Sequence, residues 1–236
     1  MRIRDPLDGA QEFFQSRALS NRAEDLTRVK DGVDLAISTV QAATIGLDAI
    51  DALTQQAEGL ARAARNTSDP AQREALAGQF NEILNQIDNI AQDSGFNGVN
   101  LVQSAPDDLP VALNETGSSN ITFEGVDSTS AGLGLTPTTF ASDADIDAAL
   151  AQIADARSTV RTTNAGLSSG IAALQTRIEF TRNLTNTLES AAAKLTDVDL
   201  NEEAANRLAI DTRQQIGVNA LSLGAQNQSA ILGLFG

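Results

Sequence analysis

From Leu26 onward, apolar residues recur every seven positions, at Leu26, Val33, Val40 and Leu47. Val29, Ala36, Ala43 and Ile50 follow three residues behind, and Ala57 continues their series. A seven-residue repeat with two apolar positions is the seam of a coiled coil, so it predicts a long helix packed against another helix. Asn66-Thr67-Ser68-Asp69-Pro70 stops that helix, with Asp69 placed to cap the next one and Pro70 to occupy its first turn. In this second helix Leu76, Phe80, Ile83, Ile87 and Ile90 form one stripe, which ends at Gly95-Phe96-Asn97-Gly98.

The pattern then changes. Between Val99 and Phe140, Gly, Ser, Thr and Pro are dense, and Leu109 to Leu113 and Asn120 to Glu124 have the character of short strands around an Asn114-Glu115-Thr116-Gly117 turn. Asp143 or Asp145 is expected to cap a third helix, along which Val160, Leu167, Ile171, Leu174, Ile178, Leu188 and Leu195 keep a three-four spacing. Running from about Asp145 to Leu195, it would span roughly 75 Å at 1.5 Å per residue. Polar residues from Thr196 to Glu203 interrupt it, and a last helix is expected from about Asn201, with acids in its first turn. The expected fold is mainly α: an elongated antiparallel rod of coiled-coil-like helices with a small β-hairpin region, both chain ends at the same end. The expected division is residues 1–103, 104–140, 141–197 and 198–236.

Composition restricts the chemistry. Among 236 residues there is no His, Cys, Trp or Tyr, and one Met. Aliphatic side chains must do the packing, and the usual proton shuttle, zinc ligands and thiol nucleophile are all missing, which argues against an enzyme. With 31 acids against 16 bases, the chain is poorly suited to nucleic acid. No window approaches 18 uninterrupted apolar residues, so no membrane-spanning helix is expected, and the first residues lack the apolar stretch of a secretory signal. No cofactor or metal is expected. Asp143-Ala144-Asp145-Ile146-Asp147 resembles the start of a calcium loop, but Ala148 and Ala154 stand where Gly and Glu are needed, so a helix start is the better reading. Gly132-Leu133-Gly134-Leu135 is taken as a turn rather than a phosphate cradle. Ser118, Ser119, Thr122, Ser128, Thr129 and Ser130 lie in a segment expected to be exposed and are candidates for glycosylation.

The end of the chain is the main oddity, because from Gln214 to Gly236 it carries no Lys, Arg, Asp or Glu. A helix meeting copies of itself gains from this, since amides and hydroxyls can be paired without burying charge. The candidate subunit-interface residues are Leu208, Arg213, Gln215, Ile216, Leu221, Leu223, Ile231, Leu232, Leu234 and Phe235.

The run Asn206 to Gly217, then Ala220-Leu221-Ser222-Leu223, Gln226 and Ile231-Leu232-Gly233-Leu234-Phe235, resembles the carboxyl end of bacterial flagellins. Separately, Glu82-Ile83, Ile87-Asp88 and Ile90-Ala91 leading to Phe96-Asn97-Gly98 and Leu101 are similar to the flagellin segment entering its rod turn. Arg2-Ile3, Asp8 and Ala18-Leu19-Ser20-Asn21-Arg22-Ala23 resemble the region after the first flagellin helix, and the pattern is of the α-proteobacterial type. The family's amino-terminal helix, which should precede Arg2-Ile3, is absent from this sequence, and the middle is short.

The resemblance implies a structural subunit of the flagellar filament that self-assembles through terminal helices for swimming motility. It also implies export without a cleaved signal peptide, an extracellular location, and other flagellin subunits, hook-associated and cap proteins and an export chaperone as partners. A hook-filament junction protein and an adhesin or polysaccharide-binding flagellin homologue are the alternatives. Flagellins that stimulate a Toll-like receptor carry arginines on a rod helix; the matching stretch here, Leu53 to Leu60, has none, so at most a weak agonist is expected.

Overall fold

The computed structural model describes residues 3, 5–197 and 200–234, the side chains of 200–203 and 228–234 excepted. Helix α1 covers Ala10–Arg65 and α2 covers Pro70–Asp93. Strands β1 (Leu109–Ala112) and β2 (Asn120–Phe123) follow, then α3 (Asp143–Thr196) and α4 (Leu200–Leu234). By contact the chain forms two compact units, one of residues 22–186 and one of residues 1–21 with 187–236.

In the larger unit the heptad seam of α1 is buried: Leu26, Val33, Ala36, Val40, Ala43, Leu47, Ile50 and Ala57 are all nearly inaccessible to solvent. Polar contacts show that α3 runs antiparallel to it. Arg65 meets Asp143, Glu58 meets Arg157, and Asp48 meets Asn164, so each step back along α1 is a step forward along α3. Small side chains permit the close approach of helix seams, and Ala36, Ala43, Ala57, Ala61 and Ala64 supply them on α1. Helix α2 adds Ala77, Phe80, Ile83, Leu84, Ile87 and Ala91 to the same core.

Helix starts follow local chemistry. Asp69 caps α2, its carboxylate accepting from Ala71 N at 3.0 Å with Pro70 in the first turn, as expected. The cap of α3 is not Asp143 or Asp145 but Ser142. Ser142 Oγ accepts from Asp145 N at 3.3 Å, and Asp145 Oδ2 accepts from Ser142 N at 2.8 Å. This reciprocal pairing satisfies two backbone donors at once, with Asp in the place of the more usual Glu.

Strands β1 and β2 pair antiparallel with Leu109 opposite Phe123 and Ala112 opposite Asn120. The rest of the middle segment is folded onto the helices by side chains that bond to backbone. Asn81 Nδ2 donates to Thr138 O and Asn81 Oδ1 accepts from Thr138 N, both at 3.0 Å. Asp88 accepts from Ser130 N at 2.7 Å. Buried Asn100 donates through Nδ2 to the carbonyls of Ala91 and Gln92, which end α2, and accepts through Oδ1 from Val102 N and Gln103 N. Leu101, Val102, Leu133, Leu135 and Phe140 thereby join the core, Phe140 against Phe80 with ring centroids 5.3 Å apart.

In the smaller unit, Ser16 Oγ donates to Ala192 O at 3.0 Å and Ile3 N to Thr196 O at 3.3 Å. Ile3, Leu188 and Ala192 are buried there.

Candidate assembly surface

Helix α4 has no Pro from Asn206 to Leu234, and recurring Ala, Leu, Gln and Arg offset the weaker helix formers Gly217, Gly224 and Gly233. Every described side chain from residue 204 to residue 227 is exposed. With 3.6 residues per turn, Leu208, Ile216 and Leu223 fall on one side and Ile210, Val218 and Leu221 on the other. Leu208 is 69% and Leu221 77% exposed, and the remaining four are all more than half exposed. A helix that is apolar on opposite sides is normally covered on both.

Of the expected interface residues, Leu208, Arg213, Gln215, Ile216, Leu221 and Leu223 therefore share one exposed helix. Ile231, Leu232 and Leu234 lie where side chains fall outside the described residues, and Phe235 lies outside them altogether. Sequence reasoning omitted Ile210 and Val218. The signal was available, because a helix with apolar residues on two sides and no charge after Arg213 offers no single solvent face to assign.

The turn at Phe96, Asn97 and Gly98 belongs to the larger unit. Asn97 and Gly98 both have positive φ, 51° and 81°. Phe96 N donates to Val99 O at 2.9 Å and Val99 N to Phe96 O at 3.0 Å. This is the geometry of a two-residue turn of the primed type, for which Asn-Gly is the preferred pair.

Three of the six hydroxyl candidates are not exposed. Ser128 is 1% accessible and Thr129 and Ser130 are 9%. Their hydroxyls donate to Val126 O, Asp127 Oδ1 and Asp88 Oδ2 respectively. The composition of a solvated loop was misleading here, because the Ser128 and Thr129 hydroxyls are consumed within the loop and that of Ser130 by Asp88 on α2. Ser118 and Thr122 are exposed and Ser119 is half-buried.

Next to the Gly132-Leu133-Gly134-Leu135 turn, Asp127 Oδ1 accepts from Thr129 N at 3.0 Å and would lie 2.4 Å from a Cβ on Gly132. A carboxylate thus stands where a phosphate would have to approach. The carboxylates of Asp143 and Asp147 pair with Arg65, and Asp143 also with Arg73 at 2.6 Å.

Along Leu53 to Leu60, the exposed side chains are Gln55 and Gln56, while Thr54 and Ala57 are buried. Glu58 is bound by Arg62 Nη2 and by Arg157 Nη1, each at 2.6 Å. Hydrogen bonding from Arg62, helped by the charges of Arg62 and Arg157, holds the Glu58 carboxyl below its ordinary value against the opposing effect of burial. Glu115, at the tip of the hairpin, is lowered first by its own backbone N–H and then by Arg22, 2.8 Å away.

Residues 1–105 match the family described as bacterial flagellin N-terminal helical region. The chain is 31% identical to flagellin FljK of Caulobacter vibrioides over 99% of its own length and 86% of the relative's. It is 33% identical to flagellin FljM of the same organism, over 97% and 84% respectively. The crystal structure of Bacillus cereus flagellin superposes with a TM-score of 0.58 at 20% identity, over 64% of this chain and 88% of that one, a likeness of fold. With an exposed helix that carries no charge after Arg213 at one end of the sequence and a relationship this extensive to named flagellins, the chain belongs to the flagellin family and is a structural subunit of the flagellar filament, an extracellular polymer.

Proposed function

We propose that α4 is the surface through which this filament subunit joins copies of itself. The observation that carries the proposal is the exposure of apolar side chains on both sides of a helix that holds no charge after Arg213. Covering a large apolar side chain is worth about 1.5 to 3 kcal/mol. Leu208, Ile210, Ile216, Val218, Leu221 and Leu223 therefore hold enough unspent stabilisation for a polymer contact. Arg213 and Gln215 would pair at its edge, and Ile231, Leu232, Leu234 and Phe235 would extend it.

The test is growth from preformed filament seeds, followed by electron microscopy. The pair L221E and L223E should stop incorporation while leaving the circular dichroism of the single chain unchanged, because neither residue is buried there. Incorporation at the unsubstituted rate would end the proposal.

The same helix is proposed to be the segment shared with hook-associated and cap proteins and with an export chaperone. Deleting residues 214–236 should abolish binding to each. Retained binding by any of them would place its contact elsewhere. Export without a cleaved signal is checked by the amino-terminal sequence of the secreted protein, which should begin at the encoded start. If a sugar is attached, it belongs on Ser118, Ser119 or Thr122, and a mass-spectrometric glycan found on Ser128 would contradict the burial of that side chain. The amide-bearing face of residues 53–60 should give a weak Toll-like receptor response, and a strong signal in a receptor reporter assay would overturn that expectation.

A further inference from the structure

Asn97 and Gly98 are the one Asn-Gly pair in the chain. Such a pair carries its own chemistry, because glycine lets its backbone nitrogen approach the preceding side-chain amide with least obstruction. Both residues are exposed. We propose that Asn97 is a site of spontaneous deamidation that the fold holds shut: reactive while the chain is unfolded, protected once the turn at residues 96–99 has closed.

The reaction needs only water. The Gly98 amide nitrogen loses its proton to solvent base and bonds to Asn97 Cγ, the Cγ–Nδ2 bond breaks, and the amide leaves as ammonia, taking up a proton. Water then opens the five-membered imide. Cleavage of its bond to Cγ gives aspartate, and cleavage of its bond to the main-chain carbonyl gives isoaspartate, which adds a methylene to the backbone.

Ring closure requires the Gly98 nitrogen to swing beside Asn97 Cβ, which demands a negative ψ at Asn97. The turn forbids this. With φ at 51°, Asn97 lies in the left-handed well, where ψ is positive, about 47° in its ideal form. Two hydrogen bonds between Phe96 and Val99 close the turn. The next residue is anchored as well, because Asn100 Nδ2 is held by the carbonyls of Ala91 and Gln92 at 2.9 Å each. Attack on Cγ must therefore wait for the turn to open, and the reaction is slowed by the free energy of that opening. An isoaspartate made before folding lengthens a two-residue turn whose hydrogen bonds have no slack.

The experiment incubates the full chain in mildly alkaline buffer, folded and in concentrated urea, and follows each asparagine by peptide mass spectrometry and isoaspartate methyltransferase labelling. In urea Asn97 should convert ahead of every other asparagine; in the folded chain it should convert at least about tenfold more slowly, as local opening requires. Gly98→Ala, examined in urea so that its folding does not matter, should suppress the reaction. Equal rates in the two states, a faster asparagine elsewhere in urea, or an undiminished rate in the Gly98→Ala chain would each overturn the proposal.

Discussion

Helices α1 and α4 are both rich in Leu, Ile and Val, and they put these side chains to opposite use. In α1 the seam of Leu26, Val33, Val40 and Leu47 is closed against solvent, whereas in α4 Leu208, Ile216 and Leu223 stand open. The difference lies in what occupies the rest of each helix. Outside its seam α1 carries Asp25, Arg28, Asp31, Asp34 and Asp48, several of them paired, so one face is defined as water-facing. After Arg213, α4 has no such residues, and its apolar positions lie on two sides. A single stripe can be satisfied by one partner within the chain, while two opposed stripes ask for cover that a lone subunit does not supply.

Truncation of core and surface residues gives the widest contrast. Phe80→Ala, at the contact with Phe140, should cost about 3 to 5 kcal/mol in urea unfolding. Leu221→Ala should change the stability of the single chain by no more than about 0.5 kcal/mol, while weakening seeded growth. A large loss of stability from Leu221→Ala would mean that α4 is covered within its own subunit, and the comparison would fail.

The next effect concerns whether the middle segment belongs to the closed part of the molecule. Removing the Asn100 side chain leaves the last carbonyls of α2 and two backbone donors unpaired, so Asn100→Ala should cost about 1 to 3 kcal/mol. A similar loss is expected from Gly170→Ala, because a Cβ there would come within 2.2 Å of Phe123 Cε1 and overpacking typically costs about 1 to 3 kcal/mol. Combining it with Phe123→Leu should recover part of that loss, giving a non-additive pair in denaturation experiments.

The smallest effect is electrostatic. Since the Glu58 carboxyl is held below its ordinary value of 4.5 by Arg62 and Arg157, its contribution is present above that pH. It is lost as pH falls through the lowered folded value. Glu58→Gln should flatten the acid limb of the stability profile by less than about 1 kcal/mol, as expected of a partly solvated ion pair. An unchanged acid limb would show that the charged face of α1 defines orientation without adding stability.

Much of this was legible along the chain. The seven-residue seam of α1, the Asp69-Pro70 start of α2, the paired strands and the neutral tail all rest on local rules of spacing and capping. The start of α3 was misassigned because Asp143 and Asp145 both look like caps. Only the observed bonds show Ser142 in that role, with Asp145 answering it. Ser128, Thr129 and Ser130 were misjudged for a related reason: a run of small polar residues has one composition whether its hydroxyls face water or close a turn. Asn100 gave no signal of its own, since its four bonds join residues brought together by the end of α2 and the loop after it.

The sequence by itself determined which positions repel water and at what period, and so where helices form and which of them lack a charged face. Those properties depend on neighbours within a few turns of the chain. Tertiary structure decided which polar groups are spent on backbone atoms distant in sequence, as with Asp88 and Ser130 or Asn81 and Thr138. It also decided which apolar residues find cover, because burial requires a second surface, and one helix's periodicity does not specify where that surface comes from.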